Sequence, residues 1–213
     1  MMKRLVVFSC LVLAFALAAL AQDYKIETIT TAPAGLPAAY ASVIQPQGYR
    51  VVGPKGAWVE VWFAKSIPTG PKPSDDSIVL PIPQGTLLGV LRFPEEGYDR
   101  RGQTIKPGLY TMRYSDYPVD GAHQGVAPQR DFALLTPIAA DTDSAAKPAF
   151  EALIAMSVKA SGTPHPAVLS LETPSSSATF PSITTEGDNG DQVLNVKVGD
   201  LPLAIIVVGK VQG

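Results

Sequence analysis

Two histidines, a run of charged side chains and a strand bearing both tryptophans are the groups in this chain whose types could do chemistry. His123 lies in the densest polar stretch, from Asp120-Gly121-Ala122 through Gln129-Arg130-Asp131, and His165 lies in the turn Thr163-Pro164-His165-Pro166. Imidazole and carboxylate both ligate zinc and copper. His123 and His165 with Asp120 or Asp141 could therefore hold a metal that activates water, which would make the chain a metal-binding protein or a metal-assisted hydrolase. The spacing of these four residues follows no recognisable ligand pattern. The plainer expectation is that both histidines are loop residues, while Arg130 and Asp131 form ion pairs or turn hydrogen bonds. A Gly-containing loop of this kind entering a strand can also present Asp120, His123, Arg130 and Asp131 to a ligand from a rigid sheet.

The second candidate is aromatic. In the strand Ala57 to Ala64 the alternation places Trp58, Glu60 and Trp62 on one face and Ala57, Val59, Val61 and Phe63 on the other. In an extended strand the two indoles stand about 13 Å apart, a spacing that suits stacking on successive sugar rings or packing on a partner protein. The competing expectation, which we prefer, is that the indoles are core. Glu60 then needs a cationic partner such as Arg113, because a buried unpaired carboxylate is costly.

Other signatures are weaker. The chain has no H-E-x-x-H, G-x-S-x-G, Walker loop or dinucleotide G-x-G-x-x-G. Ser144-Ala145-Ala146-Lys147 matches the S-x-x-K of penicillin-recognising enzymes, but Pro148 moves Lys147 away from the helical geometry that chemistry needs, and no K-T-G follows. Asp141-Thr142-Asp143 could hold a cation; acidic residues just before a helix are more often its caps. No cofactor is expected.

The elements that must position these groups are mostly strands. Pro and Gly punctuate short, often β-branched runs, which predicts strands at Tyr49 to Val52, Ala57 to Ala64, Thr86 to Phe93, Leu109 to Ser115 and Asp131 to Thr136. Further strands are predicted at Ala167 to Glu172, Ala178 to Thr185, Gln192 to Val198 and Leu203 to Val208. Asn189-Gly190 predicts a type I′ hairpin joining Ala178 to Thr185 with Gln192 to Val198. Leu203 to Val208 is apolar throughout and should be buried on both faces. One amphipathic helix is predicted near 148–161, where Phe150, Leu153, Ile154, Ser157 and Val158 form a stripe bounded by Pro148 and Gly162. The fold class is therefore all-β: a two-layer antiparallel β-sandwich with one packed α-helix.

Within this pattern, Pro107-Gly108-Leu109-Tyr110-Thr111-Met112-Arg113-Tyr114 resembles the P-G-x-Y-x-x-x-Y strand of bacterial exported domains of the immunoglobulin-like and transthyretin-like kinds. The resemblance covers that strand alone. It implies a sandwich fold, and no catalytic or binding residue is carried over with it.

The ends of the chain bound the function. Lys3 and Arg4, the apolar run Leu5 to Leu20 and the small-x-small site Ala19-Leu20-Ala21 read as a signal peptide over residues 1–21, leaving 22–213 as a single domain. No membrane span is expected after cleavage, and the expected location is periplasmic or extracellular. Cys10 is the one cysteine and leaves with the signal, so stability must come from packing rather than disulfides. Lys3 and Arg4 also leave, which widens the excess of 19 acidic over 17 basic side chains. That balance argues against nucleic acid as a partner. The expected function is a non-catalytic binding module for a glycan, a small ligand or an envelope protein.

Overall fold

A computed structural model describes residues 24–72, 80–116 and 130–209. The chain runs β1 (Lys25–Ile29), α1 (Ala38–Ala41), β2 (Gly48–Gly53), β3 (Gly56–Phe63), β4 (Leu87–Phe93), β5 (Gly97–Tyr98), β6 (Thr104–Ile105), β7 (Gly108–Asp116) and β8 (Asp131–Pro137). It continues through α2 (Phe150–Ser161), β9 (Val168–Glu172), β10 (Ser182–Glu186), β11 (Asp191–Val198) and β12 (Leu201–Val208). Every predicted strand is present within a few residues. β1, the short pair β5–β6 and α1 are additions.

Ten strands pair in the order β1-β2-β3-β4-β7-β8-β9-β12-β11-β10. Neighbours along that order are antiparallel. The two layers of the sandwich meet at β9, which belongs to both. Val168 to Ser170 pair with β8, whereas Leu171 and Glu172 pair with β12. A strand that switches sheets in this way makes the corner of a sandwich. The sheet then turns back on itself, so that the Trp58 indole of β3 donates to the Val207 carbonyl of β12 at 2.8 Å.

Period-two alternation fills the space between the layers. Val59, Val61 and Phe63 of β3 share one apolar cluster with Leu91, Tyr110, Met112, Leu135, Leu194 and Ile205. The all-apolar β12 is buried on both faces as its sequence requires. Leu203, Ile205 and Val207 enter the main cluster, while Ala204 and Ile206 pack with Val193 in a separate one.

Helix α2 docks on the outside of β8 and β9, where Leu153 is fully buried against Phe132, Leu134 and Val168. Gly162 ends it in the left-handed region at φ 67° and donates to the Val158 carbonyl, the usual glycine C-terminal device. Its start departs from expectation. Ala149 is the N-cap and no side chain caps it, so Asp141 and Asp143 do not serve as its caps.

The β10–β11 hairpin is correctly paired but differently turned. A type I′ turn would require positive φ at Asn189 and Gly190. Instead Gly187 and Gly190 carry the positive φ values and no non-glycine residue does. The last strand pair is Glu186 with Asp191, leaving four residues in the loop. The strand starts at Ser182 rather than Ala178 because Pro181 has no N–H to place in a ladder.

Candidate functional site

The tryptophan strand is not an open platform. Between β2 and β3 the register shifts, Val51 facing Val59 while Val52 faces Ala57, so Trp58 is an extra residue. Such a bulge re-aims its side chain. Trp58 accordingly reaches Val207 across the core and packs edge-on against Phe93 and Tyr98. Trp62 is 2% exposed and donates to the Thr31 carbonyl at 2.9 Å. A Cβ at Gly48 would lie 2.6 Å from its ring, so only glycine lets the β2 backbone pass there.

Glu60, also 2% exposed, lies between two guanidinium forks rather than beside Arg113. Arg50 reaches Oε1 through Nε and Nη2, and Arg92 reaches Oε2 the same way, all four contacts at 2.7 Å. The three residues face one another across β2, β3 and β4. Cross-strand neighbours on one face are the nearest partners a sheet offers, and Arg113 lies one strand further away. Trp58, Glu60 and Trp62 thus hold the sheet together.

The other expected binding residues divide between described and undescribed parts of the chain. Asp120 and His123 lie outside the described residues. Arg130 pairs with Asp116 at 3.6 Å. Asp131 is fully buried and accepts from the Leu80 amide at 3.0 Å and the Tyr114 hydroxyl at 2.7 Å. Burial first, and then that bond, push the Tyr114 phenol well above its ordinary value. His165 is exposed, and its backbone is tied to Ser161 and Thr163. Among the described residues no three His, Cys, Asp or Glu side chains are placed to hold a metal ion.

Asp141, expected as a ligand or a cap, is part of a buried ion pair with Arg113, which is 0% exposed. Arg113 Nε donates to Asp141 Oδ2 at 2.6 Å and Nη2 to Oδ1 at 3.0 Å. Its remaining donors reach the carbonyls of Gly85, Asp143 and Ala146 at 3.0, 2.7 and 2.6 Å. These bonds use every N–H a guanidinium has. Thr111 Oγ1 adds a bond to Asp141 Oδ2, and the Tyr40 hydroxyl donates to the Asp141 carbonyl. Burial would raise the Asp141 carboxyl, but the bonds from Arg113 and Thr111 outweigh it and hold the group below the usual carboxylate range.

This hub fastens the segment from Asp141 to Ala146 onto the sheet, and the cleft of greatest interest lies beside it. Its volume is about 430 Å³, and Ser42, Lys65, Ser66, Thr86, Ser144 and Lys147 form its polar lining. Val43, Ala64 and Leu87 supply apolar wall, and none of the described lining residues carries a carboxylate. Gly85 makes the close approach possible. It sits at φ 75°, and a Cβ there would lie 2.5 Å from the Pro148 carbonyl oxygen.

Two lining groups are already committed. Lys65 Nζ donates to the Ser42 carbonyl at 2.7 Å, and Ser144 Oγ to the Ala39 carbonyl at 2.8 Å. Ser144 and Lys147 of the S-x-x-K run therefore meet at the cleft as wall, with the serine proton engaged elsewhere. Thr86 differs: it is 3% exposed, and its hydroxyl has no hydrogen-bond partner among the described residues. A neighbouring depression of about 350 Å³ shares Lys65 and Ser66 and ends at the β11–β12 turn, Gly199 and Asp200.

Sequence reasoning missed Lys65, Ser66 and Thr86. The cleft combines the ends of β3 and α1, the start of β4 and the Asp141–Lys147 segment, so no local spacing announces it. Comparison of the chain with protein-family models, with curated proteins and with solved structures gave no match.

Proposed function

We propose that the chain is an exported, non-catalytic module of the cell envelope that binds a small ligand in the cleft between Lys65 and Lys147. The observation that carries the reading is the cleft itself, about 430 Å³ in volume and lined by two lysines beside serine side chains and an apolar wall. The cleft volume falls within the range of small-molecule sites. The buried carboxylates Glu60, Asp131 and Asp141 support binding over catalysis, since each is held by arginine or hydrogen-bond donors. Export is supported by the basic, apolar and small-x-small sequence of residues 1–21. No described helix is long and apolar enough to cross a membrane.

A thermal-shift screen of small sugars, alcohols and carboxylates against the purified protein tests the site. The control is Ala145→Trp, which places an indole in the cleft from an exposed turn position. At least one compound should raise the melting temperature, and Ala145→Trp should remove that rise while leaving the free protein's melting temperature unchanged. A rise that survives in the variant puts the site elsewhere.

A further inference from the structure

Resting on that reading, we infer the ligand's chemical class: an organic anion with an apolar body, its carboxylate or phosphate head held by Lys65 and Lys147. The charge of the lining is the first reason. The whole chain has a formal charge of −2, yet among the described residues this cleft is lined by two lysines and no acidic side chain. A concave site lined by one sign of charge concentrates ligands of the opposite sign. Donor capacity is the second reason. An ammonium has three donors, and Lys65 commits one to the Ser42 carbonyl, which fixes the head group at the rim with donors left for a ligand. The third reason is the wall of Val43, Ala64 and Leu87 beside these donors. It would bury an apolar body.

The test is isothermal titration calorimetry with three probes: octanoate, octanol and inorganic phosphate. Octanoate should bind, and its affinity should fall at least about tenfold in Lys65→Ala/Lys147→Ala, which is about 1.4 kcal/mol. Octanoate affinity should also fall as salt rises from about 50 mM to about 500 mM, because the contact is ionic and half-exposed. Inorganic phosphate should bind more weakly than octanoate, having a head but no body; tighter binding of phosphate overturns the apolar-body half of the inference.

Octanol binding as tightly as octanoate, with both insensitive to the lysine substitutions but lost in Ala145→Trp, would overturn the anion and leave the binding site standing. Silence of all three probes, together with a screen in which no compound depends on Ala145, removes the inference and the site together. Lys147→Glu is the second variant, for the case that the double substitution disturbs folding. Its side chain is on an exposed position, and it should abolish octanoate binding with the melting curve intact.

Discussion

Glu60 and Asp141 are both gripped by arginine, and they are gripped for different ends. Glu60 lies between Arg50 and Arg92, whose side chains are each 38% exposed, and the three side chains tie neighbouring strands of one layer. Asp141 is bound by Arg113, which is wholly buried and whose other donors reach three backbone carbonyls in two separate segments. The first arrangement crosses a sheet that backbone ladders already hold. The second fastens irregular chain at residues 141–146 to the sheet, and also reaches Gly85, whose amide already donates to the Tyr114 carbonyl of β7. A buried ion pair gives little net stability over an apolar substitute, but removing one member leaves an uncompensated charge. The difference lies in what else each pair organises, and only the Arg113 hub organises the wall of the cleft.

The largest effect should therefore come from Arg113→Ala. It strands the Asp141 carboxylate in the interior and releases three carbonyls, which should cost about 3 to 5 kcal/mol in denaturant melts. The same variant should lose the ligand response of the cleft under conditions where it remains folded. A cost below about 1 kcal/mol would mean that the hub is dispensable and that the contrast between the two pairs is mistaken.

Glu60→Gln should do less, about 1.5 to 3 kcal/mol, the scale of hydrogen bonds to a charged group. Arg50 and Arg92 can turn to water once the carboxylate is gone, and the β2–β3–β4 ladders remain. Ligand binding should be untouched. Equal losses in Glu60→Gln and Arg113→Ala would erase the distinction between strand tie and loop clasp.

What the sequence disclosed follows the same division. Elements defined by a local period were legible: the alternation of β3, the unbroken apolar run of β12, and the helix with Gly162 at its end. Features set by partners distant in the chain were not. The bulge that turns Trp58 inward depends on the register of β2 against β3, and nothing in the sequence of Gly56–Phe63 specifies it. Glu60 was correctly read as needing a cation, but sheet order chose Arg50 and Arg92 instead of Arg113. Asp141 looked like a cap because it precedes a helix, whereas its partners Thr111 and Arg113 lie on β7. The S-x-x-K run was set aside as a catalytic pair because of Pro148, and its two residues meet at a cleft as wall, with the Ser144 hydroxyl bonded to the Ala39 carbonyl. Lys65 and Thr86 carried no signal, their role arising only where β3 and β4 meet the Asp141–Lys147 segment.

The smallest expected effect also has the opposite sign, and it concerns a carboxylate that no arginine grips closely. Glu172 ends β9 at the corner between the layers. Burial first, then Glu186 and Asp191, raise its carboxyl above the ordinary value, and Arg100, paired with Asp191 at 2.8 Å, opposes them only in part. A carboxyl with a raised folded-state pKa keeps its proton to higher pH in the native state than in the unfolded chain. Its ionisation therefore costs stability, by nothing below the unfolded value of about 4.3 and in full above the folded value. Asp141 behaves the other way. Its depressed folded pKa contributes stability that is present above the unfolded value of about 3.9 and lost as the pH falls through the folded one. Glu172→Gln should accordingly melt higher than the parent at neutral pH and converge with it in acid. Asp141→Asn should melt lower at neutral pH, with the gap closing only below about pH 4. Thermal melts of the three proteins from about pH 3 to about pH 8 give both curves at once. If Glu172→Gln melted lower than the parent at neutral pH, the corner carboxylate would be as well paired as the one in the hub, and the contrast between gripped and ungripped carboxylates would fail at β9.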